Sequence, residues 1–491
     1  MVLVMAFLLG AASGAPAAGA LSYHVSPRGN DSNPGTSPAQ AWKTLARVNR
    51  QALRPGDRVL FERGARFTGQ LVPQGSGTVV GGEPVPVTIG AYGEGPRPRV
   101  DGEGACRDTI LVRNVEFLEI TGLEVTNQGP GRKPGRTGIR LVADDSGPRR
   151  HIVLRDLFVH DVNGDLRKDH EGHGILFESL GTGFFDGLLI EECHLLKTDR
   201  NGICGVAPAG TRSRNVVICG NLLEDIGGDG IKPWGCAGAL VEHNRLRGGQ
   251  MRCNDYAAGI WPWDCDDTVI QFNEVSGMRG DRDGEAFDSD GLCRRSLFQY
   301  NYSHDNEGGF MLVCATPEYH CEGTLIRYNI SQNDGIKSAR VFHLGGPVRN
   351  THIYNNTIYV GPGQDVPLLS FTEDEGWPEG TRFTNNLFHI AGRARCEFGR
   401  STNNAFESNV VQGDLGGCPE GVRPADGSSL LARPGTGGEG FDSLAGYRLT
   451  AAGAKLQGVA VPDAGPRDFF GDPVPPDGPR SIGADQGPPD H

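Results

Sequence analysis

The central part of the chain alternates short apolar runs with polar turn residues at a fixed period. Four such segments are VEHNRL at 241–246, IQFNEV at 270–275, FQYNYS at 298–303 and IRYNIS at 326–331. Their asparagines recur at intervals of 29, 28 and 28 residues. The full column is Asn221, Asn244, Asn273, Asn301, Asn329, Asn356, Asn386 and Asn409. Short β-type runs repeating at this period predict a β-solenoid.

One coil of such a solenoid cannot bury its apolar face alone, so stacked coils share a core, with strands ~4.8 Å apart. The asparagines are expected to form a hydrogen-bonded ladder and to adopt the left-handed conformation of a sharp turn. A second column, Cys236, Cys265, Cys293 and Cys321, has the same spacing. It is compatible with disulfides between neighbouring coils or with a stack of buried free thiols. A metal site would need ligands that converge on one ion.

The two ends of the chain carry further motifs. They are YHVSPRGNDSNPGTSPAQAWKTLARVN at 23–49, PGDRVLF at 55–61 and the closing segment 447–486. With the repeat, they resemble the right-handed parallel β-helix, pectate-lyase-like superfamily. The resemblance implies an all-β fold with an N-terminal cap and an irregular C-terminal tail. It does not imply one reaction, because that superfamily includes lyases, hydrolases, epimerases, esterases and phage tailspikes.

The predicted organisation has four parts. Residues 1–20 form a signal peptide, 21–100 an N-terminal cap with the first coils, 101–425 the β-helix, and 426–491 a C-terminal tail or cap. The apolar run at 2–9 precedes an Ala-x-Ala site, which is typical of secretion, and it is too short to span a membrane. A retained anchor is the alternative. The run Trp42–Gln51 has helical spacing and is expected to cover the open end of the helix.

Composition limits the partners. The net charge of −13 argues against nucleic acid, whose phosphates require a basic surface. The expected partner is a polysaccharide, and we expect a secreted monomer without a membrane span. The even number of 12 cysteines suits an oxidising compartment.

The candidate chemistry lies on the third strand of successive coils. Ile175, Ile203, Ile231, Ile260, Phe287 and Phe310 form an apolar column there. Because side chains alternate along a strand, the next residues face outward. This outer face carries Leu176, Cys204, Lys232, Trp261, Asp288 and Met311, followed two residues later by Glu178, Val206, Trp234, Trp263, Asp290 and Val313. Three of the five tryptophans lie here beside carboxylates, which predicts an exterior carbohydrate groove.

The favoured hypothesis is a glycoside hydrolase with paired carboxylates. The Cα atoms of Asp288 and Asp290 are expected roughly 6.6 Å apart, which is compatible with inverting hydrolysis, although the side-chain directions can lengthen or shorten the carboxyl separation. The supporting catalytic candidates are Glu285, Asp229, Lys232 and His173, and the substrate-binding candidates are Trp234, Trp261, Trp263, Asp264, Arg279 and Arg282. A carboxyl desolvated against a tryptophan would have a raised pKa and act as the acid.

Two alternatives remain open. In a polysaccharide lyase, Lys232 would abstract the proton, Glu285, Asp288 and Asp290 would hold Ca²⁺, and Arg279 or Arg282 would bind the uronate. The other alternative is a non-catalytic glycan-binding protein. The polygalacturonase motifs are incomplete, because Gly172-His173-Gly174 precedes the acid cluster and no Arg-Ile-Lys is present. The hydrolase hypothesis requires no cofactor.

Overall fold

The chain forms a right-handed parallel β-helix, as the sequence predicts. The computed structural model describes residues 19–280, 282–337, 340–475 and 478–487. Nearly all of the predicted signal peptide therefore lies outside the described residues. Each regular coil contributes one strand to each of three parallel sheets, in the order sheet 1, sheet 2, sheet 3. The inward-facing apolar side chains of all three sheets form one continuous core.

Sheet 1 extends along the whole helix, and all of its strands pair in parallel. Its strands are Ser22–Val25, Arg58–Glu62, Val87–Tyr92, Leu118–Thr121, Gly147–Arg155, Gly183–Glu191, Ser213–Cys219, Leu240–Glu242, Val269–Gln271, Leu297–Gln299, Leu325–Arg327, His352–Tyr354, Arg382–Thr384 and Ala405–Glu407. The short strand Cys236–Ala237 pairs beside Ser213–Cys219. The many coils stacked in this one sheet make the fold an elongated solenoid.

Sheet 2 follows a sharp turn after each strand of sheet 1. Its strands are Arg66–Thr68, Arg99–Asp101, Glu124–Asn127, Phe158–Val162, His194–Thr198, Leu222–Glu224, Arg245–Arg247, Glu274–Ser276, Tyr302–His304, Ile330–Gln332, Thr357–Val360, Leu387–Glu397, Asn409–Gly416 and Val422–Pro424. The long strand Leu387–Glu397 shifts register after Ile390 and continues beside Asp365–Thr372 of sheet 3. The two sheets therefore merge at this end of the helix.

Sheet 3 is interrupted in its middle. Its strands are Asp108–Arg113, Thr137–Ala143, His173–Ser179, Asn201–Val206, Ile231–Lys232, Phe287–Ser289, Met311–Cys314, Phe342–Gly345 and Asp365–Thr372. Between Ile231–Lys232 and Phe287–Ser289 the pairing is reduced to single bridges through Ile260. This interruption falls where the sequence places the candidate groove.

The remaining elements are short. They are the α-helix Leu45–Asn49, the 3-10 segments Pro38–Gln40, Lys168–His170 and Phe441–Tyr447, the antiparallel pair Thr78–Val80 with Glu83–Val85, and the parallel pair Cys293–Arg294 with Cys321–Glu322. The longest helices of the described chain have five and seven residues, so none of its helices could span a bilayer.

The predicted asparagine ladder is present at the turn between sheets 1 and 2. The backbone N–H and Nδ2 of Asn273 both donate to Oδ1 of Asn301, at 3.0 and 3.1 Å, and Asn301 donates in the same way to Asn329. The predicted turn conformation was wrong by one residue. The positive φ belongs to the residue before each of these asparagines, as at Phe272 (54°) and Tyr300 (57°). The ladder asparagine supplies hydrogen bonds, and its predecessor supplies the bend.

The cysteine column is a stack of free thiols. Cys236, Cys265, Cys293 and Cys321 are all at most 2% exposed, and none is bonded to another cysteine. The backbone N–H of Cys236 donates to Sγ of Cys265 at 3.4 Å. These residues therefore act as small apolar side chains of the core.

The chain itself packs on the N-terminal end of the helix and on the outer side of sheets 1 and 2. Trp42, Leu45 and Val48 pack on the N-terminal end of the core, although the α-helix there spans only Leu45–Asn49 rather than the whole predicted segment. Residues 430–474 and 482–484 pack on sheets 1 and 2 through a second apolar cluster. The C-terminal segment is thus held against the helix.

Candidate active site

Prolines open sheet 3 at the candidate groove. Pro233 and Pro262 follow Lys232 and Trp261 in the motifs IKPW and IWPW. Proline has no N–H to donate to the neighbouring strand, so the hydrogen-bond ladder of the sheet breaks here. What remains is a bridge from Trp234 to Trp263, in which Trp263 N–H donates to the carbonyl of Pro233 at 3.0 Å. The outer face of these coils therefore carries irregular backbone that can surround a ligand.

The predicted register holds up to Phe287 and is wrong in the next coil. Phe287 pairs with Met311, not with Phe310, so Asp288 lies beside Leu312. One position further along, Ser289 pairs with Val313, which places Cys314 beside Asp290. The outer face next to the acids therefore carries a thiol where the sequence predicts a valine.

Four carboxyl groups converge on this face: Asp283, Glu285, Asp288 and Asp290. Burial raises the pKa of Asp283 and Asp288 well above the ordinary value, and the neighbouring carboxylates raise it further. Asp288 and Glu285 are each only 3% exposed, whereas Asp283 and Asp290 are half-buried. Within the described chain, Oδ1 of Asp288 and Oε2 of Glu285 have no hydrogen-bond partner. Such a cluster favours protonated carboxyls at neutral pH.

Asp290 differs from the other three acids in its hydrogen bonds. Its Oδ1 accepts from the backbone N–H of Gly291 at 2.6 Å and from the Cys314 thiol at 2.9 Å. Burial raises the pKa of Asp290, but these two bonds and the ammonium of Lys168 oppose that effect. These donors favour the ionised form of Asp290 more than the surroundings of Asp283 and Asp288 favour theirs.

The carboxyl groups of Asp288 and Asp290 lie close together. One oxygen of each, with Sγ of Cys314, lies within 4.8 Å of the others. Inverting enzymes place their carboxyls ~6.5–9.5 Å apart to leave room for water. Both side chains approach the same thiol, and the assignment of Asp288 and Asp290 as an inverting pair stays a prediction.

Lys232 is held as a cation beside the acids. It is 3% exposed, and its Nζ donates to Oε1 of Glu171 at 3.1 Å. Burial alone would lower the pKa of Lys232, but Cys204 and Glu171 facing it raise that pKa above the ordinary lysine value. His173 lies beside this pair, and burial lowers its pKa to about 4. Lys232 is thus a charged partner of Glu171, and His173 is neutral.

Asp229 lies beneath Trp261 and is hydrogen-bonded to it. Its Oδ1 accepts from the indole Nε1 of Trp261 and from the backbone N–H of Ala258, both at 3.0 Å. Its Oδ2 lies 3.0 Å from the guanidinium of Arg200, and both side chains are fully buried. Asp229 therefore fixes Trp261 from beneath.

The three tryptophans of the site differ in exposure to solvent. Trp261 is 5% exposed, and the Nζ of Lys232 lies 5.2 Å from its ring centroid. Trp234 and Trp263 are half-buried with ring centroids 5.9 Å apart, and Tyr319 lies 5.5 Å from Trp263. The open wall for a sugar ring is thus formed by Trp234, Trp263 and Tyr319.

The remaining predicted binding residues lie at the edges. Asp264 is 4% exposed and ion-paired with Arg212 at 2.6 Å. Arg282 is exposed, and its guanidinium stacks on Tyr256 at 5.5 Å. Arg279 is exposed as well, in the segment that leads to the acid cluster. The structure therefore brings together the acids, Lys232 and the tryptophans, but gives Asp264 a separate partner.

A calcium site does not fit these residues. Ca²⁺ takes six to eight hard oxygen ligands, whereas the tightest group here is Asp288, Asp290 and the thiol of Cys314. The third predicted ligand, Glu285, faces the imidazole Nδ1 of His343 at 3.8 Å instead. We derive no step through a metal ion.

Sequence reasoning missed several residues of this site. Asp283 lies in the turn before the strand, outside the alternating pattern that revealed Asp288 and Asp290. Glu171 and Lys168 belong to a long loop, and Lys168 places its ammonium 5.6 Å from the ring centroid of Tyr256. The cluster of aspartates in DRDGEAFDSD was the sequence feature that could have revealed Asp283.

Comparisons with known proteins point to carbohydrate chemistry. No family model matches the chain. The chain is 27% identical over 473 residues to a lacto-N-biosidase of Bifidobacterium longum subsp. longum, covering 75% of this chain and 29% of that protein. It is 32% identical over 131 residues to alpha-1,3-galactosidase A of Akkermansia muciniphila, covering 24% of this chain and 20% of that protein. The chain therefore spans less than a third of the length of either curated relative.

A solved structure shares the fold. The GH136 lacto-N-biosidase of Eubacterium ramulus superposes with a TM-score of 0.59 at 26% sequence identity, covering 78% of this chain and 68% of that one. The complex of XylC with xylose superposes with a TM-score of 0.54 at 11% identity, which bears on the fold alone.

Proposed function

We propose that the chain is a glycoside hydrolase acting on a glycan bound along the outer face of sheet 3. The observation that carries the proposal is the convergence of four carboxyl groups beside the tryptophans, with the hydrogen-bond donors concentrated on one of them, Asp290. Two carboxyl groups with different protonation states are what glycosidic hydrolysis requires. The likeness to two lacto-N-biosidases and to an α-1,3-galactosidase supports it.

We assign the two roles by accessibility and hydrogen bonding. Asp283 and Asp290 are the half-buried members of the cluster, so a substrate can reach them. Asp283, whose pKa is raised by burial and by Glu285, is the acid that protonates the leaving oxygen. Asp290, with its two hydrogen-bond donors, is the carboxylate that acts at the anomeric carbon. Asp288 and Glu285 are the more buried members of the cluster, and Glu285 contributes to the raised pKa of Asp283.

The lyase alternative is disfavoured by the state of Lys232. A general base must be unprotonated to accept a proton, but Glu171 holds Lys232 as an ammonium ion at 3.1 Å. The acid cluster beside it would also repel a uronate carboxylate. A non-catalytic binding protein would need the aromatic wall but not the protonated acids.

The relatives' names suggest which glycans to test. Oligosaccharides of the lacto-N series and α-1,3-linked galactosides are the first classes, with neutral polysaccharides next. We also propose that the mature protein is secreted and monomeric, which signal-peptide processing and light scattering would test.

The experiment is a digestion panel of these glycans and of uronate polysaccharides, with and without chelator. We expect new reducing ends from a neutral glycan, no unsaturated uronate absorbance, and no effect of chelator. Absorbance that chelator abolishes would overturn the proposal and favour the lyase. Glycan binding without cleavage of any substrate would favour the binding protein.

A further inference from the structure

Cys314 is the one thiol that touches the acid cluster among the described residues. Its Sγ lies 2.9 Å from Oδ1 of Asp290, the oxygen that also accepts from Gly291. Cys314 belongs to strand Met311–Cys314 of the next coil, so the contact crosses from one coil to its neighbour. The function proposed above does not explain why this position carries a thiol.

The thiol can act only as a hydrogen-bond donor here. Burial and the facing carboxylates of Asp290 and Asp288 raise the pKa of Cys314 well above the ordinary value. The group therefore keeps its proton at any pH at which a glycosidase works. A protonated thiol facing a carboxylate donates a charge-assisted hydrogen bond, which stabilises the ionised acid.

We propose that Cys314 is a positioning residue that orients the Asp290 carboxylate and favours its ionised form. The inference rests on the proposed function, because it assigns Cys314 a role through Asp290. The hydrogen bond from Cys314 distinguishes Asp290 from Asp288, whose Oδ1 lacks a hydrogen-bond partner in the described chain. Two acids two residues apart thus differ in their hydrogen-bond donors, and the donors of Asp290 favour its ionised form.

The test compares Cys314→Ala, Cys314→Val and Cys314→Ser in the full chain. Alanine and valine both remove the donor. Valine still fills the space of the thiol, so it serves as the second variant if alanine destabilises the fold. We expect kcat/KM to fall about tenfold to hundredfold in both, the range for a hydrogen bond to a charged group. The acidic limb of the pH profile should move to higher pH by about one unit, because Asp290 loses a donor that favours its anion.

Serine restores a donor, so Cys314→Ser should recover most of the rate and the position of the acidic limb. Cys418→Ala, at an exposed cysteine, is the matched control and should leave both unchanged. An unshifted acidic limb in the alanine and valine variants would overturn the proposal. Serine behaving like alanine would overturn it as well.

A second measurement is independent of catalysis. Asp290 raises the pKa of the Cys314 thiol, so Asp290→Asn should lower that pKa and speed the alkylation of Cys314 by iodoacetamide. Mass spectrometry of the peptide that contains Cys314 reports the rate. If Asp290→Asn is alkylated faster but the native chain cleaves no glycan, the proposed function is rejected and the contact between Cys314 and Asp290 is kept. Unchanged alkylation would reject the contact itself.

Discussion

The acid cluster is best understood one residue at a time. Four carboxyl groups close together cannot all ionise, because each charge raises the pKa of the others. Hydrogen-bond donors decide which of them ionises, and they are concentrated on Asp290. Asp288 and Glu285 are buried, and each has one carboxyl oxygen without a hydrogen-bond partner among the described residues.

Replacing Asp290 by asparagine should therefore remove the anion on which the proposed chemistry depends. We expect kcat/KM to fall by about 10²–10⁴ with the fold unchanged. Hydrolysis of the best substrate measures the rate, and circular dichroism verifies the fold. Asp267→Asn, at an exposed aspartate paired with Arg295, is the control and should retain full activity. Full activity of Asp290→Asn would remove Asp290 from the mechanism.

The buried pair of Lys232 and Glu171 makes a second residue-scale prediction. Removing one charge leaves the other without its partner, which costs about 3–5 kcal/mol for a fully buried pair, whereas removing both is close to neutral. Lys232→Met should therefore lower the thermal midpoint more than Lys232→Met combined with Glu171→Gln does. Differential scanning calorimetry compares the two. A double variant less stable than the single one would contradict the pairing.

At the scale of an element, the asparagine ladder is the device that keeps the coils in register. The side chain of Asn301 accepts two hydrogen bonds from Asn273 and donates to the carbonyl of Ile270 and to Asn329. All of these groups are buried, so each would lack a partner if the side chain were removed. The ladder thus satisfies the polar atoms of a buried turn.

Asn301→Ala should consequently destabilise the helix by about 3 kcal/mol or more, since each unsatisfied buried group costs about 1–3 kcal/mol. Chemical denaturation followed by fluorescence measures the loss. Asn30→Ala removes a single exposed hydrogen bond and serves as the control. Equal stability of the two variants would show that the ladder asparagines are not structural.

The sequence revealed these elements to different degrees, for physical reasons. The asparagine ladder and the cysteine column repeat in sequence because they repeat in space, so the period alone was sufficient to predict both. The register after Phe287 could not be read, because residues 310–313 are apolar on both faces and show no alternation. Asp283 was missed because a turn has no periodic pattern. The pairing of Asp229 with Arg200 depends on a loop whose path the sequence does not state.

At the scale of the whole molecule, the C-terminal segment is fastened to the helix by charged and polar contacts. Glu274 of sheet 2 accepts from the backbone N–H of Gly440 at 3.0 Å and lies 3.3 Å from the imidazole of His304. Burial opposes the charge on His304, but hydrogen bonds to Asp305 and Glu274 raise its pKa to about 9. The protonated imidazole therefore supports the attachment of this segment.

The sign of the resulting pH dependence follows from that raised pKa. The stabilisation by protonated His304 is fully present below pH 6.5, the pKa of histidine in the unfolded chain. It is lost as the pH rises through the pKa of about 9 in the folded chain. The thermal midpoint of the native chain should therefore fall between those values more steeply than that of His304→Gln. Scanning calorimetry at a series of pH values measures the difference. Parallel curves would contradict the assignment.

The measurement that tests the central claim most directly is the release of reducing sugar from a panel of neutral glycans, comparing the native chain with Asp290→Asn. We predict cleavage of at least one glycan by the native chain, without unsaturated products and regardless of chelator, and its loss in the variant. Cleavage that persists in Asp290→Asn, or a product with uronate absorbance, would contradict the account.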